Sequence, residues 1–386
     1  MKKVYPIIIS LFLGFGVGLA IILLANHGGG SKGDTSALDE ILDMCMLFVA
    51  VALAAYLQIV LHEAGHLVCG LLSGYRFVSF RVGSITLFKD GDGKLRFKRF
   101  KLAGTGGQCL MSPPVDVPLD KIPTQLYNAG GVLVNLLCAI VSLLLLTCCN
   151  GMPSGLRYFL AATLAIGLVF ALLNGIPLKL GGVANDGYNL FNLHRDKQAV
   201  KGFAVQLLVN EKLQNGTRLA HMPNELFDLG GDINYRDPLQ ANVGLMSFSR
   251  ELDQGHLELA HEHFKELLHS HDDELIPLYK LEAKSELTYT SLATGDKELA
   301  QACVADKMMM TYITKHARVM SSKQRVLMAK ALLLDGDRAR AEQLYNEVIA
   351  RHDSYLMQGE VETDIELMKR LLEGQNESQN QGISQN

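Results

Sequence analysis

The apolar residues of this chain are distributed very unevenly, and that distribution constrains its fold more than any other feature. Hydrophobic residues make up 48% of the 386 residues, yet nearly all of the long apolar runs lie before residue 180. Four of these runs reach the length of about 20 residues that is needed to cross a bilayer. They cover residues 4–24, 44–72, 126–149 and 158–177. We therefore expect a multi-pass protein of the cell membrane, since the alternative, a soluble core, would have to bury four such helices in succession.

Basic residues in the connecting loops predict how these spans are oriented. The loop 76–121 carries nine lysine and arginine residues, whereas 25–41 carries only Lys32 and 150–157 only Arg157. Because lysine and arginine are retained on the cytoplasmic side, both termini are predicted to be cytoplasmic. Residues 4–24 are predicted to be an uncleaved anchor, since their apolar core is too long for a signal peptide. The net charge of -4 gives no indication of nucleic-acid binding.

The second apolar run contains "HEAGH", which places ionisable groups where they are costly. On a helix, His62 and His66 are one turn apart on the same face, so that two imidazoles can bind one metal ion. Glu63 lies beside them and is placed to take a proton from water without being a ligand. Ionisable groups at membrane depth are normally retained for a function. The motif therefore predicts a metal-dependent hydrolytic site near the cytoplasmic end of this span.

A catalytic zinc ion uses three protein ligands and keeps one position open. Asp186 lies in a glycine-rich stretch just after the fourth span, and this span runs in the same direction as the span of "HEAGH". The two sites should therefore lie on the same side of the membrane, which makes Asp186 the predicted third ligand. It is favoured over Asp43, at the far end of its span, over Glu40, outside the span, and over His194 and Asp196, which lie further into the soluble part. The alternative is that Asp186 is a turn aspartate before a glycine.

These segments resemble the site-2 protease family of intramembrane zinc metalloproteases. The resemblance covers roughly residues 44–192 and is carried by "HEAGH", "AGGVLVN" (129–135), "NGIP" (174–177) and "NDG" (185–187). It implies a three-helix catalytic core, one zinc ion per chain bound by His62, His66 and Asp186, and Glu63 as the group that activates water. It also implies that Asn135 or Asn174 helps to hold the substrate backbone or the oxyanion. In this chain, "LKLGGVAN" separates Pro177 from Asp186, which is a longer spacing than the family often shows.

The loop between the second and third spans alternates apolar and basic residues, as strands do. "YRFVSFRVGSITLFKD" and "GKLRFKRFKLAG" flank "KDGDGK", which predicts a hairpin turn. After it, Gly107 to Met111, including Gln108, is predicted to be an edge strand. By the family resemblance this strand holds substrate, which must be extended before water can reach its peptide bond. The alternative is a loop packed under the hairpin.

The soluble part contains an internal repeat. Three segments align at Gly255, Gly295 and Gly336, at spacings of 40 and 41 residues, and each glycine has a helical pattern on either side. This arrangement is similar to degenerate tetratricopeptide repeats, which bury their faces by stacking. The repeats either cap the membrane domain as a bundle or form a groove that binds a protein partner.

Together these patterns predict an α-helical membrane protein with a small β-hairpin loop and a soluble all-α repeat domain. The expected boundaries are 1–41 for the anchor and external loop, 42–195 for the metalloprotease core with its loop 73–125, 196–372 for the repeats, and 373–386 for a disordered polar tail. The predicted function is hydrolysis of membrane-spanning or membrane-inserted proteins or peptides, either in regulated intramembrane proteolysis or in processing of signal or pheromone peptides. The alternative is a non-catalytic membrane scaffold or receptor that acts through its repeats.

Overall fold

Three long apolar helices form the membrane-like part of the protein. The computed structural model describes residues 36–90, 92–99, 106–180 and 183–383, together with Gly18, so the predicted span 4–24 lies outside the described residues apart from Gly18. The helices are α1 (Ala37–Leu72), α2 (Thr124–Cys148) and α3 (Ser154–Gly175), and each is long and apolar enough to cross a membrane. Helix α1 begins earlier than predicted, because Ser36 and Asp39 form a capping box at its start.

The outward surfaces of these helices are apolar, as lipid contact requires. Phe48 is 69% exposed and Leu72 is 75% exposed on α1. Between the helices the buried residues are small, for example Ala54 on α1 and Ala161 on α3. Small residues allow close helix approach where no hydrophobic effect operates between helices. The pattern confirms the membrane-protein prediction for these three segments.

The loop between α1 and α2 folds into a four-stranded antiparallel sheet instead of a single hairpin. Its strands are β1 (Arg76–Val82), β2 (Ile85–Lys89), β3 (Leu95–Arg99) and β4 (Gly107–Ser112), in the order β3-β2-β1-β4. The predicted turn at residues 90–94 is present, with the Asp90 amide donating to the Lys94 carbonyl at 2.9 Å. A second reversal occurs at Gly83, whose φ of +59° favours glycine. The prediction of an edge strand at Gly107 to Met111 is confirmed.

A short hairpin and a short helix follow α3. The hairpin pairs β5 (Lys179–Leu180) with β6 (Val183–Ala184), and α4 (Asp186–Asn192) starts two residues later. Helix α5 (Lys197–Gln214) then packs against the four-stranded sheet in one apolar core that also includes Tyr127 of α2. The sheet is therefore held between the membrane-like helices and the C-terminal helices.

The C-terminal part is entirely helical. Its helices are α6 (Pro238–Asp253), α7 (Leu257–Ser270), α8 (Pro277–Thr294), α9 (Lys297–Ala305), α10 (Lys307–His316), α11 (Ser321–Leu333), α12 (Arg338–Ala350) and α13 (Gln358–Ile383). The aligned glycines Gly255, Gly295 and Gly336 lie in the turns after α6, α8 and α11, with φ of +90°, +80° and +68°. Each glycine therefore lies in a turn between two helices, while the repeat domain and its kinship to tetratricopeptide repeats stay predictions. Helix α13 continues to Ile383, so part of the segment predicted to be disordered is helical. The physical reason is that each residue added to an existing helix adds one hydrogen bond.

A cavity of about 200 Å³ lies among the C-terminal helices. Arg325 is buried in its wall and forms ion pairs with Glu286 (2.7 Å) and Asp364 (2.6 Å). Glu360 lines the same cavity and is exposed to solvent on one side. Reduced contact with water and the neighbouring carboxylates of Asp364 and Glu282 raise the pKa of Glu360 to about 7. Glu360 therefore changes its charge near neutral pH.

Candidate metal centre

Three side chains from two distant parts of the chain converge at one point. His62 and His66 lie one turn apart on α1 and are buried, and Asp186 is the first residue of α4. The Asp186 Oδ2 atom lies 3.1 Å from His62 Nε2 and 3.3 Å from His66 Nε2. The two Nε2 atoms are 3.2 Å apart. His62, His66 and Asp186 therefore form a nearly equilateral triangle of ligand-type atoms.

The size of this triangle matches a tetrahedral metal ion. Zinc binds histidine nitrogen and carboxylate oxygen at about 2.0–2.2 Å, so the edges of a tetrahedral site measure about 3.3–3.6 Å. The observed edges of 3.1–3.3 Å lie at the lower limit of this range or up to 0.2 Å below it. Three of four tetrahedral positions would be filled, which leaves one position for water or substrate. The donor set of two imidazoles and one carboxylate also fits a catalytic zinc ion.

The other nitrogen of each histidine is held by a hydrogen bond that fixes the tautomer. His66 Nδ1 lies 2.8 Å from the Tyr127 carbonyl, which can only accept, so Nδ1 carries the proton. His62 Nδ1 lies 2.6 Å from Asn135 Oδ1. The lone pair of each Nε2 atom is therefore available to a metal ion. Such outer contacts orient metal ligands and raise their basicity.

Asn135 is fully buried and connects His62 to Gln58. Its Nδ2 group donates to the Gln58 carbonyl at 3.0 Å and to Gln58 Oε1 at 2.5 Å, which leaves Oδ1 to face His62. Gln58 Nε2 in turn donates to the Thr163 carbonyl of α3 at 2.9 Å. The sequence interpretation missed Gln58, although a glutamine four residues before His62 on the same face of an apolar span is a usable signal.

The glycines of "AGGVLVN" bring α2 against the ligand face of α1. A Cβ atom at Gly131 would lie 2.5–2.6 Å from three atoms of the His62 ring. At Gly130, a Cβ atom would lie 2.4 Å from the Gly65 carbonyl oxygen. Neither position has room for a side chain. These glycines therefore set the distance between the two helices and support the His62 imidazole directly.

Asn185 fixes the position of Asp186. Its Nδ2 group donates to the carbonyls of Leu173 (2.7 Å) and Ile176 (2.8 Å) at the end of α3. Its Oδ1 atom accepts from the amides of Leu178 (3.0 Å) and Tyr188 (2.9 Å). One side chain thus caps α4 and ties it to the end of α3.

This contact explains how the long spacing between Pro177 and Asp186 is tolerated. The extra residues form the β5–β6 hairpin, and the chain returns to the end of α3 before α4 begins. Gly187 allows the return, since a Cβ atom there would lie 2.3 Å from the Gly175 carbonyl oxygen. The prediction that Asp186 lies beside the two histidines is confirmed by position.

Glu63 lies beside the metal centre without belonging to the triangle. A Cβ atom at Gly107 would lie 2.6 Å from both Cγ and Oε1 of Glu63, so β4 passes directly over this carboxylate. The backbone amide of Cys109 donates to the same carboxylate. The strand therefore restricts the position of Glu63 next to His62 and His66.

The outer edge of β4 is partly occupied. The Gly83 amide donates to the Gly106 carbonyl at 2.8 Å. The backbone amide and carbonyl groups of alternate residues, starting with Gly106, therefore point towards β1, whereas those of Gly107 and Cys109 point away from it. The Cys109 carbonyl accepts from the Tyr127 hydroxyl at 2.9 Å. The Gly107 carbonyl also accepts a hydrogen bond, from Arg81 Nη2 at 3.4 Å, so an added strand would have to compete with both of these side chains.

The remaining predicted substrate residues occupy different environments. Asn135 has both of its polar groups engaged with His62 and Gln58, which are the contacts of a residue that orients a ligand. Asn174 is half-buried, and its Nδ2 group donates to the Phe170 carbonyl of its own helix. Substrate binding by Asn135, Asn174, Gly107 and Gln108 stays a prediction.

Comparisons with protein-family models, with curated proteins and with solved structures found no match for this chain. What the described residues establish is a membrane-like helical protein with a buried group, formed by His62, His66 and Asp186, that could hold a metal ion.

Proposed function

We propose that this chain is an intramembrane zinc metalloprotease that hydrolyses peptide bonds of membrane-spanning or membrane-inserted substrates near the cytoplasmic face. The observation that carries the proposal is the triangle of His62, His66 and Asp186, with Glu63 adjacent to it and outside it. Three protein ligands with preset histidine tautomers suit a catalytic ion, which takes water as its fourth ligand, better than a structural ion, which takes four protein ligands.

A zinc ion bound by the three ligands would supply Lewis acidity, which activates water and polarises a carbonyl group. The protein residues perform the remaining tasks. Glu63 takes the proton of the attacking water and delivers it to the leaving amine. Asn135 and the Tyr127 carbonyl hold the two imidazoles in orientation. Strand β4 keeps Glu63 in place, and the substrate has to be extended, since a helical peptide bond is shielded by its own helix.

The apolar environment explains why such a site would be selective for membrane substrates. The three ligands lie at one end of α1 and α3, whose outward faces are apolar and exposed. A peptide that reaches them from the bilayer does not have to leave lipid first. A soluble peptide would have to cross that apolar surface.

The first experiment measures zinc content. Purified full-length protein is expected to contain about one zinc ion per chain. His62→Ala should lose it, whereas His194→Ala should not, because His194 is exposed and outside the triangle. Equal zinc content in the two variants would contradict the proposed ligand set.

The second experiment measures cleavage. Cells that express the wild type or Glu63→Gln are compared by membrane proteomics, and single-span proteins that accumulate only with Glu63→Gln are co-expressed as substrates. Glu63→Gln should retain zinc and lose cleavage, while Glu40→Gln, at the other end of α1, should cleave normally. If Glu63→Gln cleaves these proteins like the wild type, the protease proposal is wrong and a scaffold function is favoured.

A further inference from the structure

A second cavity of about 210 Å³ is lined in part by residues that contact Glu63 and His66. Its wall includes Cys109 of β4, whose amide donates to Glu63, and Tyr127, whose carbonyl holds His66. It also includes Asn189, one helical turn after Asp186. When a substrate peptide bond lies at the metal centre, a substrate side chain next to that bond would therefore be able to reach this cavity.

The lining of this cavity is polar but uncharged. Four carboxamides contribute to it, and none of the described residues that line it is aspartate, glutamate, lysine, arginine or histidine. The carboxamides are Gln108, Asn189, Gln206 and Asn210. Tyr279 adds a phenol whose pKa is raised to about 12 by burial, so that it is neutral at physiological pH. A charged ligand group would lose its hydration here without gaining an opposite charge.

One of the carboxamides lacks a partner. The Asn189 Oδ1 atom is buried and has no hydrogen-bond partner among the described residues. Buried acceptors are rarely left unsatisfied in folded proteins. Because this atom is shielded although Asn189 lines the cavity, the Asn189 side chain has to turn towards the cavity before an N–H donor of a ligand can satisfy it. A primary amide would also offer an acceptor to the other carboxamides.

The volume allows a whole side chain to enter. A cavity of about 150 Å³ is sufficient to hold benzene, and this one is larger. Leu110 and Phe203 supply apolar surface for the methylene groups of such a side chain. The size and lining therefore suit a side chain with a short apolar stem and a neutral polar end.

We propose that this cavity, called here the amide pocket and defined by Gln108, Asn189, Gln206 and Asn210, binds an asparagine or glutamine side chain of the substrate close to the scissile bond. The inference rests on the proposed protease function and deepens it, because it assigns a substrate preference to the same site. Asn189 is the residue that determines the preference.

The test is a binding measurement that needs no catalysis. Glu63→Gln protein in detergent is titrated with fluorescent single-span peptides that carry one guest residue, either Gln, Glu, Leu or Lys, at successive positions near one end of the span. At one position, the Gln peptide should bind at least tenfold more tightly than its isostere Glu and than Leu. Absence of any position with this preference would overturn the inference.

Variants in α4 identify the residue responsible. In the Glu63→Gln background, Asn189→Leu should remove the preference for Gln, and Asn189→Asp should shift it towards Lys. Asn192→Leu is the matched control, since Asn192 lies on the same helix outside the pocket and donates to the Tyr188 carbonyl. Zinc content is measured for each variant, so that a displaced α4 is recognised. A preference for Gln that survives in Asn189→Leu would refute the assignment.

The two proposals fail separately. If Glu63-dependent cleavage is observed without any preference for Gln, only the amide pocket is refuted. If the preference for Gln depends on Asn189 but no substrate is cleaved, the protease function is refuted and the pocket binds another amide-bearing peptide.

Discussion

Substitution of Gly131 by alanine tests whether the geometry around His62 supports the proposed zinc site. The added Cβ atom would lie 2.5 Å from His62 Cε1 and 2.6 Å from each ring nitrogen. Ordinary van der Waals contact starts at 3.4 Å, so the ring would have to move by about 0.9 Å. Ligand distances in metal sites tolerate only about 0.2 Å. The ring cannot make that movement and stay within bonding distance of the ion.

We expect Gly131→Ala to weaken zinc binding by at least tenfold and by up to about a hundredfold, which is the range seen when outer-shell support of a ligand is lost. This corresponds to about 1.4–2.8 kcal/mol. The helix itself should not be weakened, because alanine favours the helical state over glycine by about 1 kcal/mol. The loss would therefore be specific to the metal centre.

The assay is competition for zinc between the purified protein in detergent and a fluorescent chelator. Gly155→Ala in α3 is the matched control, since the nearest atom to its added Cβ, Met46 Sδ, is 3.9 Å away. Gly155→Ala should bind zinc like the wild type. Wild-type affinity in Gly131→Ala would show that the His62 ring is not a metal ligand in this geometry.

Three further predictions concern other parts of the molecule. Asn135→Leu should weaken zinc binding about 10- to 100-fold in the same competition assay, whereas Asn128→Ala should not, because Asn128 bonds only within its own helix in the described contacts. Asn185→Ala removes four hydrogen bonds that hold α4. It should therefore lower the zinc content and speed proteolytic cleavage of the β5–β6 hairpin. Unchanged zinc content and unchanged cleavage would refute the positioning role of Asn185. Glu360 has a folded pKa of about 7, above its unfolded value of 4.5, so the stability it contributes is complete below pH 4.5 and is lost as the pH rises through 7. The melting temperature of Glu360→Gln should therefore fall less than that of the wild type between pH 5 and pH 8. An equal fall in melting temperature in the two proteins would contradict this.

Much of the fold follows from local patterns in the sequence. Apolar runs of sufficient length predicted α1, α2 and α3, because backbone groups in lipid must be satisfied within a segment. The positive φ angles at Gly255, Gly295 and Gly336 agree with the turns predicted from their spacing. The four-residue spacing of His62 and His66 predicted a shared helix face. Each of these inferences depends on residues that are close in the chain.

The parts that could not be predicted depend on residues far apart in the chain. The second reversal at Gly83 converts one predicted strand into two and gives the sheet its four strands. Asn135 contacts His62 because α2 approaches α1 closely. The sequence motif that contains Asn135 does not specify this approach. The position of β4 over Glu63 depends on how the sheet packs against the helices.

The sequence by itself determined that this chain has membrane-like helices and that two histidines and a glutamate occupy one of them. Only the tertiary structure decided that Asp186 completes a triangle with His62 and His66, because more than a hundred residues separate Asp186 from His62 and the hairpin before it lengthens the connection. The physical reason is that composition and periodicity describe a segment, whereas a metal centre requires three atoms within about 3.6 Å of one another. Here that proximity is produced by the glycines between α1 and α2 and by the hydrogen bonds of Asn185.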